Sequence, residues 1–227
     1  MILTLINKIQ RSTDCFSFLF QPESDISWKA GQYMKFTLIH ENPDDRSVSR
    51  FFTISSAPYE KNIMVTTKFA GEKSSTFKKA LFGLERNQTI TAYPPQGEFI
   101  ITDFSGSYVF IAGGIGVTPF RSILLDLDHE KLLNSVEIYL LYSSKNNEVI
   151  FKDEFDLLAN RNRSFKVRYI IDPERCSTDI IKVAVPYFME KIYFISGPPG
   201  LVKSIEEDLL KEDIGKENIK LDYFPGY

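Results

Sequence analysis

The sequence predicts an antiparallel β-barrel followed by an α/β domain, a parallel sheet with helices on both faces. Three observations carry this fold class. The chain has 227 residues, more than the roughly 100–150 of a usual single domain. Residues 1–104 alternate apolar and polar positions over short segments, which is the period of half-buried strands. From residue 105 onward, short continuous apolar runs alternate with amphipathic stretches, as in a parallel sheet covered on both sides. Two domains are therefore expected, 1–104 and 105–227.

In the first half, 33–38 and 63–69 read as strands, and the turn-rich stretches 29–32, 40–45, 57–60 and 93–97 punctuate them at barrel or sandwich spacing. A helix is expected over 75–84. In the second half the expected strands are 108–112, 136–142, 166–171, 192–196 and 219–222. Helices are expected over 119–129, 152–160, 178–185 and 199–210. Neither half contains an internal repeat.

Composition narrows the function classes. With 43% hydrophobic and 25% charged residues the chain is ordinary globular material. A net charge of −3 gives no overall attraction to nucleic acid or to an anionic membrane, so no nucleic-acid partner is expected. The longest apolar runs, 108–112 and 192–195, fall far short of the ~20 residues that span a bilayer. The amino terminus does not read as a signal peptide, and a cytoplasmic location is expected. Cys15 and Cys176, the two cysteines, cannot supply the four ligands of an ordinary iron–sulfur cluster. His40 and His129 form no spaced ligand set with them, and no metal site is expected.

Three segments carry candidate chemistry. In Gly113-Gly114-Ile115-Gly116-Val117-Thr118-Pro119 a buried strand runs into a glycine turn and then a helix. Glycines let backbone amides approach a pyrophosphate, Thr118 is placed to cap the helix, and Pro119 suits its first turn. The spacing is not Gly-x-Gly-x-x-Gly, and a purely structural turn is the alternative reading. A second glycine turn, Gly197-Pro198-Pro199-Gly200, ends a later strand; two such turns at strand carboxyl ends can face one crevice. In the first half, Arg50-Phe51-Phe52-Thr53-Ile54-Ser55 sets a guanidinium, aromatic rings and hydroxyls along one short strand. That set suits a phosphorylated aromatic ligand, although an aromatic strand beside a surface arginine is also ordinary barrel material.

Taken in order, these elements resemble the ferredoxin–NADP reductase-like flavoenzymes over essentially the whole chain. Arg50-Phe51-Phe52-Thr53 followed by Ile54-Ser55-Ser56 matches the family's Arg-x-(Tyr/Phe)-(Ser/Thr) flavin motif. The run from Lys68 through Gly71, Ser74, Ser75 and Thr76 resembles its Gly-x-x-Ser turn, which opens a helix on the flavin phosphates. Pro95-Gln96-Gly97-Glu98-Phe99 resembles the turn that closes the barrel, and Gly113 to Pro119 the family's Gly-Gly-x-Gly segment. Tyr142-Ser143-Ser144-Lys145, with Phe151 to Phe155 behind it, resembles the adenosine side of the nucleotide site, and Gly197-Pro198-Pro199-Gly200 the nicotinamide side. Ser196 stands where many members have cysteine. The final Tyr223-Phe224-Pro225-Gly226-Tyr227 resembles a terminal segment whose aromatic covers the flavin, with Phe224 the first choice and Tyr227 the second.

The resemblance implies a Greek-key flavin-binding barrel and an NAD(P)-binding domain. It implies an NAD(P)H-dependent oxidoreductase that sends electrons through FAD, or FMN, to an external acceptor such as a small redox protein. Thr53, Ser196 and Phe224 would stand at the reacting rings. Arg50, Phe51, Phe52, Ile54, Ser55, Lys68, Gly71, Ser74, Ser75 and Thr76 would hold the flavin; Gly114, Gly116, Thr118, Ser144, Lys145, Gly197 and Pro198 would hold NADH or NADPH. Lys8, Arg11, Lys29, Lys35, Arg46, Lys78 and Lys79 are candidates for a basic docking face. A reductase component of a larger complex and a regulatory module without turnover are the alternatives.

Overall fold

A computed structural model of the chain describes residues 1–223. The expected flavin-covering rings, Phe224 and Tyr227, lie outside the described residues. Two compact units divide the chain, Met1–Ile100 and Ile101–Tyr227.

The first unit comprises β1 (Ile2–Gln10), β2 (Cys15–Pro22), β3 (Tyr33–Thr37), β4 (Ser49–Thr53), β5 (Ile63–Lys68), α1 (Thr76–Gly83) and β6 (Thr89–Ala92). All pair antiparallel in the order β4-β3-β6-β1-β2-β5, and a bridge between Ile54 and Val65 joins the two ends of that order into a barrel. Placing β6 between β3 and β1 requires the long crossovers of a Greek key. Strand alternation sends Leu3, Leu5, Phe18, Phe20, Met34, Phe36, Phe52 and Ile54 inward, where Phe77 and Leu81 of α1 complete the core. Each buried phenylalanine is worth roughly 1.5–3 kcal/mol over leaving it in water.

A chain of hydroxyls also crosses the barrel. The Arg11 Nε donates to Ser17 Oγ at 2.9 Å, Ser17 bonds Thr66 at 2.9 Å, and Thr66 bonds Ser55 at 2.8 Å. These buried polar groups are paired, which removes the desolvation cost of each.

The second unit follows with β7 (Ser107–Gly113), α2 (Thr118–His129), β8 (Glu137–Ser144), α3 (Lys152–Arg161), β9 (Phe165–Ile171), α4 (Thr178–Ala184), β10 (Ile192–Gly197), α5 (Pro199–Lys211) and β11 (Ile219–Tyr223). Its sheet is parallel throughout, in the order β11-β10-β7-β8-β9. Alternate residues serve opposite faces. Val109, Ile111, Tyr193 and Ile195 meet Ile181 of α4 and Val202, Ile205 and Leu209 of α5. On the other face Phe110 stacks on Phe120 of α2 at 4.6 Å, and Tyr142 meets Phe155 of α3 edge-on at 6.4 Å. Reversal of strand order beside β7 puts the carboxyl ends of β7 and β10 together, which is where open parallel sheets place ligands. Among the described residues no helix is long and apolar enough to cross a membrane.

Candidate functional site

In the first unit, chemistry gathers where β4, β5 and the loop 38–48 meet the start of α1. Ser75 caps that helix, its Oγ accepting the Lys78 amide at 3.3 Å. Ser74 Oγ accepts the Ala70 amide at 2.7 Å, closing the turn that begins at Gly71. The first helical turn holds no acidic residue, although acids are the side chains a helix start favours. Cations gather there instead. Burial first, then the charge of Arg46, and further down Lys68 and Arg50, push the Lys78 ammonium down to about 8, with Cys15 pulling the other way. Like charges held together at a helix amino terminus form a seat for an anion.

Arg50 lies on β4 with its guanidinium 5.6 Å from the Phe77 ring. Its Nη1 donates to the carbonyls of Arg46, Ser47 and Ser49 at 2.7, 2.8 and 2.7 Å. Its Nη2 donates to the Asp44 carboxylate, and its buried Nε has no partner among the described residues. A buried orphan donor of this kind is costly unless a ligand oxygen completes it.

The neighbouring motif residues fall into two groups. Phe51 is 58% exposed, edge-to-face with Tyr33 at 5.7 Å, and Thr53 ends the strand at 6% exposed. Phe52, expected to pack on a ligand, turns instead into the barrel core against Phe36 and Phe77, because strand alternation gives the outward position to Phe51. Ile54 is also in that core. The Ser55 hydroxyl, expected at the ligand, is fully buried and committed to Met64 O and Thr66. Lys68 pairs with Asp14 at 3.2 Å, and the Thr76 hydroxyl is engaged by His40 and the Asp44 amide.

In the second unit the two glycine turns pack directly on each other. A Cβ at Gly116 would stand 2.2 Å from the Ser196 carbonyl oxygen, so only glycine fits against the end of β10. Gly116 is thus a close-packing residue. Gly114, by contrast, has φ +52° and nothing within 4 Å of where its Cβ would be, so the turn opens there to an incoming group. Thr118 does not cap α2; it is the first helical residue, and its buried hydroxyl donates to Ile115 O at 3.0 Å. At the end of β8, Ser144 is half-buried, Lys145 is exposed, and the Ser144 carbonyl accepts the Asp172 amide at 3.2 Å. Gly197 is buried beside Gly113, and Pro198 is exposed at the start of α5.

Ser196 is fully buried, and its Oγ donates to Asp222 Oδ2 at 3.4 Å across the β10–β11 register. Burial pushes the Asp222 carboxyl up to about 6, partly offset by that hydrogen bond. The folded unit therefore holds a proton that the unfolded chain releases from about pH 4, so Asp222 costs stability increasingly as pH rises from about 4 to about 6. Asp222→Asn is expected to match wild type in melting temperature at pH 4 and to exceed it at pH 7. A constant difference across that range would contradict the assignment.

Five of the seven residues expected in a basic docking face sit in local contacts or in the cation cluster. The Lys8 ammonium rests on Phe82, Arg11 is tied to Ser17, Lys79 pairs with Glu72 at 2.6 Å, and Arg46 and Lys78 belong to the cation cluster.

A cationic helix start in the barrel, and a glycine turn at the switch point of the parallel sheet, are two features that suit phosphorylated ligands. Residues 110–207 match the oxidoreductase NAD-binding domain family. One component of the Na(+)-translocating NADH-quinone reductase of Marinomonas sp. (strain MWYL1) is 29% identical over 208 residues, covering 80% of this chain and 50% of that protein. The flavohem-like FAD/NAD binding domain of nitric oxide dioxygenase from Vibrio cholerae O1 biovar El Tor superposes with a TM-score of 0.84 at 18% identity, covering 98% of both chains. A ferredoxin NADP+ reductase from Neisseria gonorrhoeae with bound FAD and NADP gives 0.78 at 16%, again covering 98% of both. The match to the oxidoreductase NAD-binding domain family lies in the second unit, and the chain shares the fold of these solved structures. It spans about half the length of the curated relatives it matches.

Nothing in the sequence singles out Asp44 or Asp222, and Arg46 and Lys78 read there as candidates for a basic docking face. Lys78 had a signal: a lysine in the first turn of a short helix is electrostatically misplaced unless an anion faces it. Asp222 had none, since only the parallel register brings it beside Ser196.

Proposed function

We propose that the chain is an NAD(P)H-dependent flavin oxidoreductase, taking electrons from NADH or NADPH through bound FAD to an external acceptor. The observation that carries this reading is the Arg50 guanidinium, packed over Phe77 of α1, whose buried Nε is a donor without a partner among the described residues. FAD is the expected flavin. The relatives agree, since the Vibrio domain is an FAD/NAD binding domain and the Neisseria reductase holds FAD and NADP.

A bound flavin would supply acceptance of a hydride from reduced nicotinamide and release of its electrons onward. Arg50, Lys78 and the amides at the start of α1 would hold its phosphates, and Thr53 and the exposed Phe51 would flank its ring system. Gly114 and the turn after β7 would admit the nucleotide pyrophosphate to the start of α2. Ser144 and Lys145 would bear on the adenosine end, and Gly197 and Pro198 on the nicotinamide end. Ser196, tied to Asp222, would shape that end through its backbone. These roles require alignment and electrostatics from the protein and no acid–base dyad.

Acceptors differ among the relatives, whose names include a component of an NADH-quinone reductase and flavohemoproteins. A small redox protein or small-molecule acceptor follows, in the cytoplasm where reduced nicotinamide is available. The quinone reductase relatives favour a second reading, a reductase component of a larger assembly. Size-exclusion chromatography of the natively expressed protein tests it, a stable co-eluting partner favouring the assembly. The main reading is tested by the flavin content of the purified protein, taken up under Discussion.

A further inference from the structure

The loop between β3 and β4 stands in an unexpected relation to the anion seat. Two of its groups converge on one hydroxyl: the Asp44 amide donates to Thr76 Oγ1 at 3.0 Å, and His40 Nε2 lies 3.1 Å from the same oxygen. His40 is oriented in turn by Leu38 O, 2.7 Å from its Nδ1. The loop is thereby tied to the first residue of α1. Its carboxylate then reaches the arginine, with Asp44 Oδ1 2.5 Å from Arg50 Nη2 and Asp44 Oδ2 3.8 Å from Arg46.

Asp44 thus does to Arg50 what a phosphate oxygen would do. Burial alone would raise its carboxyl, but the hydrogen bonds from Arg50 and the Arg46 amide, with both charges, hold it below the ordinary carboxylate value. Two other acids of this unit are engaged elsewhere, Asp14 by Lys68 and Glu72 by Lys79. The same loop covers the arginine's second nitrogen with the carbonyls of Arg46 and Ser47. A cluster of like charges is destabilising until an anion joins it, and this loop delivers one from within the chain.

We propose that Asp44 is an internal anion that occupies the phosphate seat of Arg50 in the flavin-free protein, so that flavin binding exchanges a carboxylate for a phosphate. This rests on the flavin reading above. Loop 38–48 then acts as a gate on flavin loading, and Asp44 sets how readily the flavin leaves. Removing its charge takes the carboxylate from Arg50 and Arg46 in the free protein and favours the phosphate-bound state. A flavin without phosphate gains nothing.

The test is titration of the flavin-stripped protein with FAD and, separately, with riboflavin, followed by flavin fluorescence at fixed ionic strength. Asp44→Asn is expected to bind FAD about tenfold more tightly than wild type while riboflavin affinity stays the same. His40→Ala, which removes one tie to Thr76 and leaves the Asp44–Arg50 pair, is expected to speed FAD association severalfold. FAD binding by Asp44→Asn that is equal to or weaker than wild type, in a variant with native circular dichroism, overturns the exchange. If the variant does not fold, an unchanged association rate in His40→Ala overturns the gate. Wild-type protein that binds no flavin at all removes the underlying reading as well, so the two failures are distinguishable.

Discussion

Arg50→Ala is expected to purify with little or no flavin and to bind added FAD about a hundredfold more weakly than wild type. Arg50 is held on strand β4, and its Nε is buried without a partner among the described residues. Charge-assisted hydrogen bonds to a phosphate contribute about 1.5–3 kcal/mol each, and a hundredfold loss corresponds to about 2.7 kcal/mol. The loop complicates the result in a useful way. Without Arg50, Asp44 loses its partner but remains within reach of water and of Arg46, so the barrel itself should keep its melting temperature within a few degrees. Arg50→Lys should recover part of the affinity, since a point charge replaces the fork and the Nε donor is lost. Flavin content measured by absorbance after purification, followed by titration of the stripped protein, reads this directly. Full flavin occupancy in Arg50→Ala would remove Arg50 from the site.

Gly116→Ala is expected to be the most damaging single substitution in the second unit. Its methyl group would enter a space already filled by the backbone carbonyl of Ser196 and the Cα of Gly197, at 2.2 and 2.6 Å, and backbone cannot swing aside as a side chain can. Overpacking costs typically 1–3 kcal/mol. Contact with the backbone of two consecutive residues puts this case at the upper end, about 3 kcal/mol. More important for activity, relieving the clash requires the two glycine turns to separate, which misplaces the amides at the start of α2. Gly114→Ala differs in kind: space is open there, and the penalty comes only from φ +52°, about 1–2 kcal/mol. Chemical denaturation of the two variants, with binding of a nicotinamide nucleotide to each, should rank Gly116→Ala well below Gly114→Ala in both. Equal behaviour would mean that the turns do not need to touch.

These two residues also show how far the amino-acid sequence alone can be read. The alternation of β3 and the apolar runs of β7, β8 and β10 were legible because burial on one face or two imposes different periods on the sequence. The glycine turn after β7 was legible as a cradle, yet not the division of labour within it. A close approach between backbones distant in sequence leaves no local trace, so Gly116 reads like Gly114. Alternation likewise implied that Phe51 and Phe52 face opposite ways, but which of them faces out depends on closure of the barrel through Ile54 and Val65. Ser55 looked like a ligand hydroxyl because its partner, Thr66, comes from a strand eleven residues further on. Asp44 was invisible for a different reason: a loop acid is ordinary until the fold sets it on an arginine.

The measurement that tests the central claim most directly is the visible spectrum of the purified protein, reconstituted with FAD if necessary, before and after anaerobic addition of NADH or NADPH. An NAD(P)H-dependent flavin oxidoreductase predicts a flavin band that bleaches within the mixing time with at least one of the two nucleotides, and the faster one identifies the physiological donor. A protein that shows no flavin absorption after reconstitution, or a bound flavin that neither nucleotide reduces, would contradict it.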